Sequence, residues 1–253
     1  MSRKAREKSK SGIYHIMMRG INRQCIFEDE EDCTKFLRVL EQYKDKCGYE
    51  IYAYCLMGNH VHLLLKVGEE PLEQVMRRIC GSYVYWYNLK YDRIGSLFQD
   101  RFKSEPVEDE AYLLTVLRYI HQNPLTAGLV KDIEKYKWSS YSEYVEKVKL
   151  VNIDYVLEML NEDRGKAIKI FIKYNHELNN DVCLDMSEKN RITDEEARTI
   201  IKKVCNIRNV TEMQTFDILT RDKYLKELKE KYCLSVRQLE RLTGINRGVV
   251  LKA

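Results

Sequence analysis

Gly58-Asn59-His60-Val61-His62-Leu63-Leu64-Leu65 reads as a tight turn that feeds a strand with two unlike faces. Side chains alternate across a strand, so His60 and His62 project together while Val61, Leu63 and Leu65 turn the other way, into a core. A Gly-Asn pair is favoured between hairpin strands, and the run from Tyr49 to Met57 supplies the partner strand. Two imidazoles on one polar strand face are a candidate metal pair. Such pairs also occur on solvated strands, so the chemistry needs a partner elsewhere in the chain.

Working outward, Ile13 to Arg19 is expected as a first strand, and Glu30 to Cys47 as a helix with Phe36, Leu37, Leu40 and Tyr43 on one stripe. His60 to Val67 follows the turn. Pro71 opens a second helix through Leu72, Val75, Met76 and Ile79, continued through Tyr83-Val84-Tyr85-Trp86-Tyr87. Arg101 to Val107 is a fourth strand. Glu108 to Gln122 carries Leu113, Leu114, Leu117 and Ile120 at helical spacing, with Pro124 just past its expected end. The order β-α-β-β-α-β plus one helix predicts an α+β, ferredoxin-like domain with one sheet face left open for the added helix.

That helix carries Tyr119 on a face shared with Thr115 and Tyr112, more polar than the leucine face. Asn123 lies one turn further on, although Pro124 is expected to pull it away from helical geometry. His121 points elsewhere and reads as structural; His15, on the first strand, could approach the site but is given no catalytic role.

Several stretches in order carry a resemblance: Tyr14-His15-Ile16 with Arg19-Gly20 and Asn22-Arg23, Met57 to His62, Leu97-Phe98-Gln99-Asp100-Arg101-Phe102-Lys103-Ser104, Tyr119 to Val130, and Trp138-Ser139-Ser140-Tyr141. Over roughly the first 145 residues the chain resembles the single-tyrosine HUH endonucleases, and among them the REP-associated tyrosine transposases and the IS200-like transposase domain. The resemblance implies the same fold, Tyr119 as a nucleophile forming a 5′-phosphotyrosine and releasing a 3′-hydroxyl, and Asn123 as third ligand beside His60 and His62. It implies strand transfer as well as nicking, because the covalent bond conserves the energy of the broken phosphodiester. A divalent ion, Mg²⁺ or Mn²⁺, would polarise the phosphoryl oxygen and offset transition-state charge. Arg19, Arg23, Arg101 and Lys103 are candidate phosphate contacts, Tyr14 and Phe102 candidate stacking platforms, and single-stranded or hairpin DNA the expected substrate. Two other readings stay open: a catalytically silent DNA-binding regulator, and a metal-dependent RNA or nucleotide phosphodiesterase that would not need Tyr119.

The chain has 253 residues and a net charge of +4. Residues 1–10 carry five Lys/Arg and one Glu, and residues 191–253 fourteen Lys/Arg and nine Asp/Glu, so the ends are +4 and +5 and the middle about −5. Basic ends suit a protein that grips a polyanion at more than one place. The eight cysteines form no C-x-x-C pair, which argues against a zinc ribbon or a compact disulfide framework. With no bilayer-length apolar run and no signal peptide, the expectation is a cytoplasmic protein without membrane contact; oligomeric state is not legible.

Three parts are expected: 1–145 for the transposase-like domain, 146–190 as a helical linker, and 191–253 as an all-α helix-turn-helix domain. Ile153 to Tyr174 looks helical with an interruption at Gly165, and Asn179 to Asn190 is turn-like. Thr193 to Glu196 opens a helix through Ile200, Ile201 and Val204, and another spans Arg221 to Tyr232. Ser235 with Gln238 forms a capping box, Gly244 supplies a sharp turn, and Leu239, Leu242, Ile245 and Val250 fall where two helices would pack. The stretch resembles the helix-turn-helix of replication initiators and resolvases, with Arg237, Asn246 and Arg247 as candidate contacts to duplex DNA.

Overall fold

The computed structural model describes residues 6–179, 181, 183, 184, 194–230, 232, 234 and 236–252. Thr193 and Ser235, expected as helix caps, lie outside the described residues. The chain divides into two compact units, Met1–Met186 and Ser187–Ala253.

The first unit is a mixed α/β fold on one four-stranded antiparallel sheet. Its elements run β1 Ile13–Arg19, α1 Glu30–Cys47, β2 Glu50–Met57, β3 His60–Lys66, α2 Leu72–Lys90, β4 Lys103–Pro106 and α3 Glu110–Thr126. The strands lie in the order β2-β3-β1-β4. In the ladders Met17 stands opposite His62 and Arg19 opposite His60, while Glu105 stands opposite His15 and Lys103 opposite Met17. Directly opposed residues share a face. One face therefore carries His60, His62, His15, Arg19, Lys103 and Glu105, and the other carries Val61, Leu63, Leu65, Ile16 and Met18.

The second face is sealed by α1 and α2, whose stripes Phe36, Val39 and Leu40, and Val75, Met76, Ile79 and Tyr83, are buried with those strand residues. Each fully buried aliphatic side chain there contributes on the order of 2 kcal/mol. Helix α1 starts at a capping box between Asp29 and Asp32 and ends at Gly48, held left-handed at φ 66°. Asp32 is buried but fully partnered, by the Glu28 and Asp29 amides and by Lys90 and Tyr91 from the end of α2.

Four differences from the expectations have physical causes. Helix α3 does not stop before Pro124; it runs to Thr126 with Pro124 buried inside it, so apolar packing outweighs the one hydrogen bond a proline cannot donate. The Gly58-Asn59 turn has no positive φ and so is not a primed hairpin turn; Gly58 O accepts from the Ile26 and Phe27 amides, and Asn59 O from the Gly20 amide. After α4 Tyr141–Val145, residues expected to link the two parts instead pack into the first unit: Val151, then Val156 and Leu157 of α5 Asp154–Leu160 and Ala167 and Phe171 of α6 Arg164–His176, join its core. The break between α5 and α6 falls at Asn161–Asp163, where Asp163 caps Lys166 N, and Gly165 lies inside α6.

The second unit holds α7 Asp194–Cys205, a one-turn helix at Val210–Thr215, α8 Ile218–Glu230, α9 Val236–Thr243 and α10 Arg247–Lys252. Leu239, Leu242, Ile245 and Val250 are buried against Ile201, Met213 and Leu228. Gly244, at φ 73°, turns the chain between α9 and α10, and Asn246 Oδ1 accepts from Gly248 N at 2.8 Å, which caps α10. No helix among the described residues is long and apolar enough to cross a membrane.

Candidate active site

Because β3 alternates, β3 presents both His60 and His62 on the face not covered by α1 and α2, and the other strands fill the surroundings. His62 is fully buried and His60 half-buried. Their rings stand 5.2 Å apart at 82°. Helix α3 brings Tyr119 edge-on to His62, with ring centroids 5.6 Å apart, and to His15 at 5.8 Å. One turn later, and still helical, Asn123 sets its side-chain amide 3.4 Å from His62 Nε2.

The partner of His60 fixes where its proton lies, and the charge beside His15 favours one tautomer of the His15–His62 pair. His60 Nδ1 lies 2.7 Å from Asn59 Oδ1, an acceptor, so its proton is on Nδ1 and its lone pair on Nε2. His62 Nδ1 lies 3.0 Å from His15 Nε2. His15 Nδ1 faces Glu105 Oε2 across 4.0 Å, too long for a direct hydrogen bond but a distance at which a carboxylate favours a proton on that nitrogen. With His15 protonated on Nδ1, His62 donates from Nδ1 and keeps its Nε2 lone pair toward Asn123. Glu105 is itself held by Tyr112 Oη at 2.7 Å and the Leu184 amide at 3.1 Å.

Burial lowers the proton affinity of His15 to about 3. For His62 the same desolvation, then the neighbouring His15 and His60, push it well below the ordinary imidazole value. Neutral imidazoles are what a metal ion requires, since ligand nitrogens must be unprotonated. The donor set therefore fits a divalent cation: two imidazole Nε2 lone pairs, each backed by a hydrogen bond at Nδ1, and an amide whose oxygen replaces its nitrogen on rotation about χ2. Asp132, Glu134 and His176 form a separate group whose ligand atoms lie within 4.8 Å of one another.

The predicted site residues divide cleanly. His60, His62, Tyr119 and Asn123 are brought together. Arg19 and Lys103 lie on the same sheet face; Arg23 sits left-handed at φ 61° in the turn after β1, where its carbonyl accepts from Asn59 Nδ2. Arg101 is exposed just before β4. Arg237, Asn246 and Arg247 are exposed in the second unit, with the Asn246 side chain already used as a cap. Tyr14 is buried, and its hydroxyl accepts from Ser9 N, so it offers no stacking surface. Phe102 carries the Arg6 guanidinium 3.8 Å over its ring. His121 is structural: its nitrogens meet Asn175 Oδ1 and Ser140 Oγ, each at 2.9 Å, inside the core.

His15, expected to be able to approach the site but without a catalytic role, stands against His62, and Glu105, not singled out from the sequence, stands behind His15. The available signal was the alternation of His15 with Met17 and Arg19, which places it on the histidine face once the β1–β3 register is known.

Residues 8–123 match the family model described as transposase IS200 like. A putative REP-associated tyrosine transposase of Haemophilus influenzae is 25% identical over 120 residues, covering 41% of this chain and 67% of that protein. A solved structure of a REP-associated tyrosine transposase bound to a REP hairpin superposes with a TM-score of 0.50 at 21% identity, covering 61% of this chain and 90% of the other; the two share a fold.

Proposed function

With an IS200-like transposase domain over residues 8–123 as the premise, we propose that this protein cuts and rejoins single-stranded or hairpin DNA through a covalent link to Tyr119. The observation that carries the reading is the meeting of Tyr119, His62 and Asn123 at the end of one helix and the middle of one strand. The hairpin bound by the structural relative supports the substrate class.

Tyr119 Oη attacks the scissile phosphorus, the Tyr–O–P bond forms, and the P–O3′ bond breaks; the 3′ oxygen leaves and takes up a proton to become a 3′-hydroxyl. His60, His62 and Asn123 would hold Mg²⁺ or Mn²⁺, which supplies charge neutralisation at the phosphoryl oxygens when bound. His15 and Asn59 keep the two imidazoles oriented and their Nε2 lone pairs turned inward. Arg19 and Lys103, on the same face, steady the flanking phosphates, with Arg23 and Arg101 at its margins. Attack by a free 3′-hydroxyl on the phosphotyrosine reverses the step and joins strands without ATP.

The first unit reads as a ferredoxin-like split βαβ domain with α3 added on the reacting face. In the second unit, α9 and α10 read as a helix-turn-helix in which Arg237 and Arg247 contact duplex DNA, and Asn246 caps the recognition helix. The test is incubation of the full-length protein with a labelled hairpin oligonucleotide library and Mn²⁺. A denaturation-resistant protein–DNA adduct is expected; cleavage without an adduct, undiminished in Tyr119→Phe, would instead favour a phosphodiesterase that uses water.

A further inference from the structure

Gly81 stands in the middle of α2, where a glycine costs about 1 kcal/mol relative to alanine. Its backbone does not require it. Its φ is not positive, and a Cβ built there would meet no atom within 4 Å. What borders it is a cavity of about 540 Å³ between α2 and residues 96–102. Met18, Met76 and Phe98, all buried, line its depth, and Arg77 and Arg101 stand exposed at its mouth.

The cavity exists because β4 is short. The β1–β4 ladder ends at the Met17–Lys103 pair, so Met18 is left beyond the covered edge, and the preceding chain returns alongside it through the Gly20–Phe98 bridge. Arg6 closes one wall: its guanidinium lies 3.8 Å over the Phe102 ring and Nη2 donates to Phe102 O at 2.9 Å. Burial, and then the nearby Arg101 charge, lower the Arg6 proton affinity, so two guanidinium groups share that wall.

A second groove, of about 380 Å³, shares Arg6, Arg101 and Phe102 with the cavity and continues to Lys103 and Ser104. Ser104 Oγ is buried there with no hydrogen-bond partner among the described residues. Lys103 is on the histidine face, opposite Met17, which is itself opposite His62. The two grooves thus make one track from the helix side of the sheet, over the edge strand, toward the side that carries Tyr119.

We propose that the cavity takes one unpaired nucleotide of a single strand that passes over the β4 edge to Tyr119. The base would lie among Met18, Phe98 and Phe102, and its flanking phosphates against Arg6, Arg101 and Lys103. Aromatic and thioether surfaces accept any base by stacking, and the volume falls in the range of small-ligand sites. Glu73 and Asp100, also on the lining, accept hydrogen bonds from an exocyclic amino group, which favours cytosine, adenine or guanine over thymine. Gly81 is the residue that keeps the space open. The assignment rests on the DNA-cleaving reading above and adds a subsite to it.

The test uses the full-length chain and a hairpin oligonucleotide with a single-stranded flank, carrying 2-aminopurine at each unpaired position in turn. One flank position is expected to change fluorescence on binding. Gly81→Leu, which fills the cavity from its wall, should abolish that change and weaken binding of the flanked hairpin about tenfold, the lower part of what one stacked base contributes. A hairpin without the flank should bind both proteins alike, and Gly81→Ala, which adds one methyl group at the wall, should lie between them for the flanked hairpin. Leucine favours helix over glycine, so an unchanged or raised melting temperature shows that the variant is folded; Arg101→Ala should also weaken binding of the flanked hairpin. An unaltered fluorescence profile and affinity in folded Gly81→Leu overturns the cavity assignment, as does equal weakening with and without the flank. If the parent forms its Tyr119 adduct in those cases, DNA cleavage stands and the subsite alone is wrong; if the parent neither binds nor forms an adduct, the underlying reading fails and the subsite with it.

Discussion

His62 and His121 are equally sealed from water, and burial depresses the proton affinity of both, that of His121 to about 4. Their surroundings differ in one respect. Around His121, Asn175 Nδ2 donates to Phe171 O, which fixes Asn175 Oδ1 as the acceptor from His121 Nδ1–H, and the Ser140 hydroxyl answers Nε2. Tyr141, Tyr144 and Phe171 close the ring in. His62 has a firm partner at Nδ1 and, at Nε2, a long contact with an amide that can rotate. Burial and a lowered pKa therefore do not separate the proposed ligand from a core histidine; the contact at Nε2 does.

The sharpest way to use that difference is at the residue seated on only one of the two. Tyr119→Phe should lower nicking and adduct formation by ~10⁴-fold while leaving hairpin affinity within error, read by denaturing gels and by anisotropy. The next test exchanges the histidines. His62→Ala should weaken Mn²⁺ binding, measured by calorimetry, by at least ~100-fold, whereas His121→Ala should leave it nearly unchanged and instead cost roughly 2–4 kcal/mol of stability by stranding two buried polar groups. If His121→Ala abolishes Mn²⁺ binding in a protein that is still folded, the contrast drawn here is wrong.

His121 also predicts a pH effect with a definite sign. Its folded pKa of about 4 lies below the ordinary 6.5, so between those values the unfolded chain binds the extra proton and stability falls as pH falls, levelling off below about 4. Denaturation midpoints in chelator at several pH values should show this slope, and His121→Gln should reduce it. A smaller effect is expected behind the proposed metal pair: His15→Phe removes the acceptor facing His62 Nδ1 and should reduce Mn²⁺ affinity 10- to 100-fold, in a range set by comparable supporting residues. Smallest of all, Arg247→Ala should weaken duplex binding by about 1 kcal/mol and flatten its salt dependence, with no change in Mn²⁺ affinity.

The sequence was most legible where local pattern and tertiary burial agree. The α1 boundaries follow from Asp29 and Gly48, and the face shared by His60 and His62 follows from strand alternation alone. It misled where distant packing overrides a local rule. Pro124 looked like a stop because its ring cannot join the helix ladder, yet Pro124 is itself buried, continuing the apolar side of α3 formed by Leu113, Leu117 and Ile120, and Asn123 stays in register with Tyr119. His15 was legible only as a residue able to approach the site, and Glu105 not at all: their placement behind His62 depends on the register of β1 against β3 and β4, which no periodicity within one strand encodes. The packing of α5 and α6 into the first unit was not legible either, because α5 with Val156, Leu157 and Leu160, and α6 with Ala167 and Phe171 among Lys166, Lys169 and Lys173, show helical apolar patterns that do not say which unit they join.

The turn that leads into His60 has a kinetic consequence. Its carbonyls are held by the amides of Gly20, Ile26 and Phe27, roughly thirty to forty positions earlier in the chain, so the hairpin reaches its final shape only after a long loop has closed. A cation offered to the unfolded chain would find His60 and His62 near one another but neither their orienting partners nor Asn123. Metal should therefore act late, slowing the unfolding of the finished domain while leaving its folding rate almost untouched.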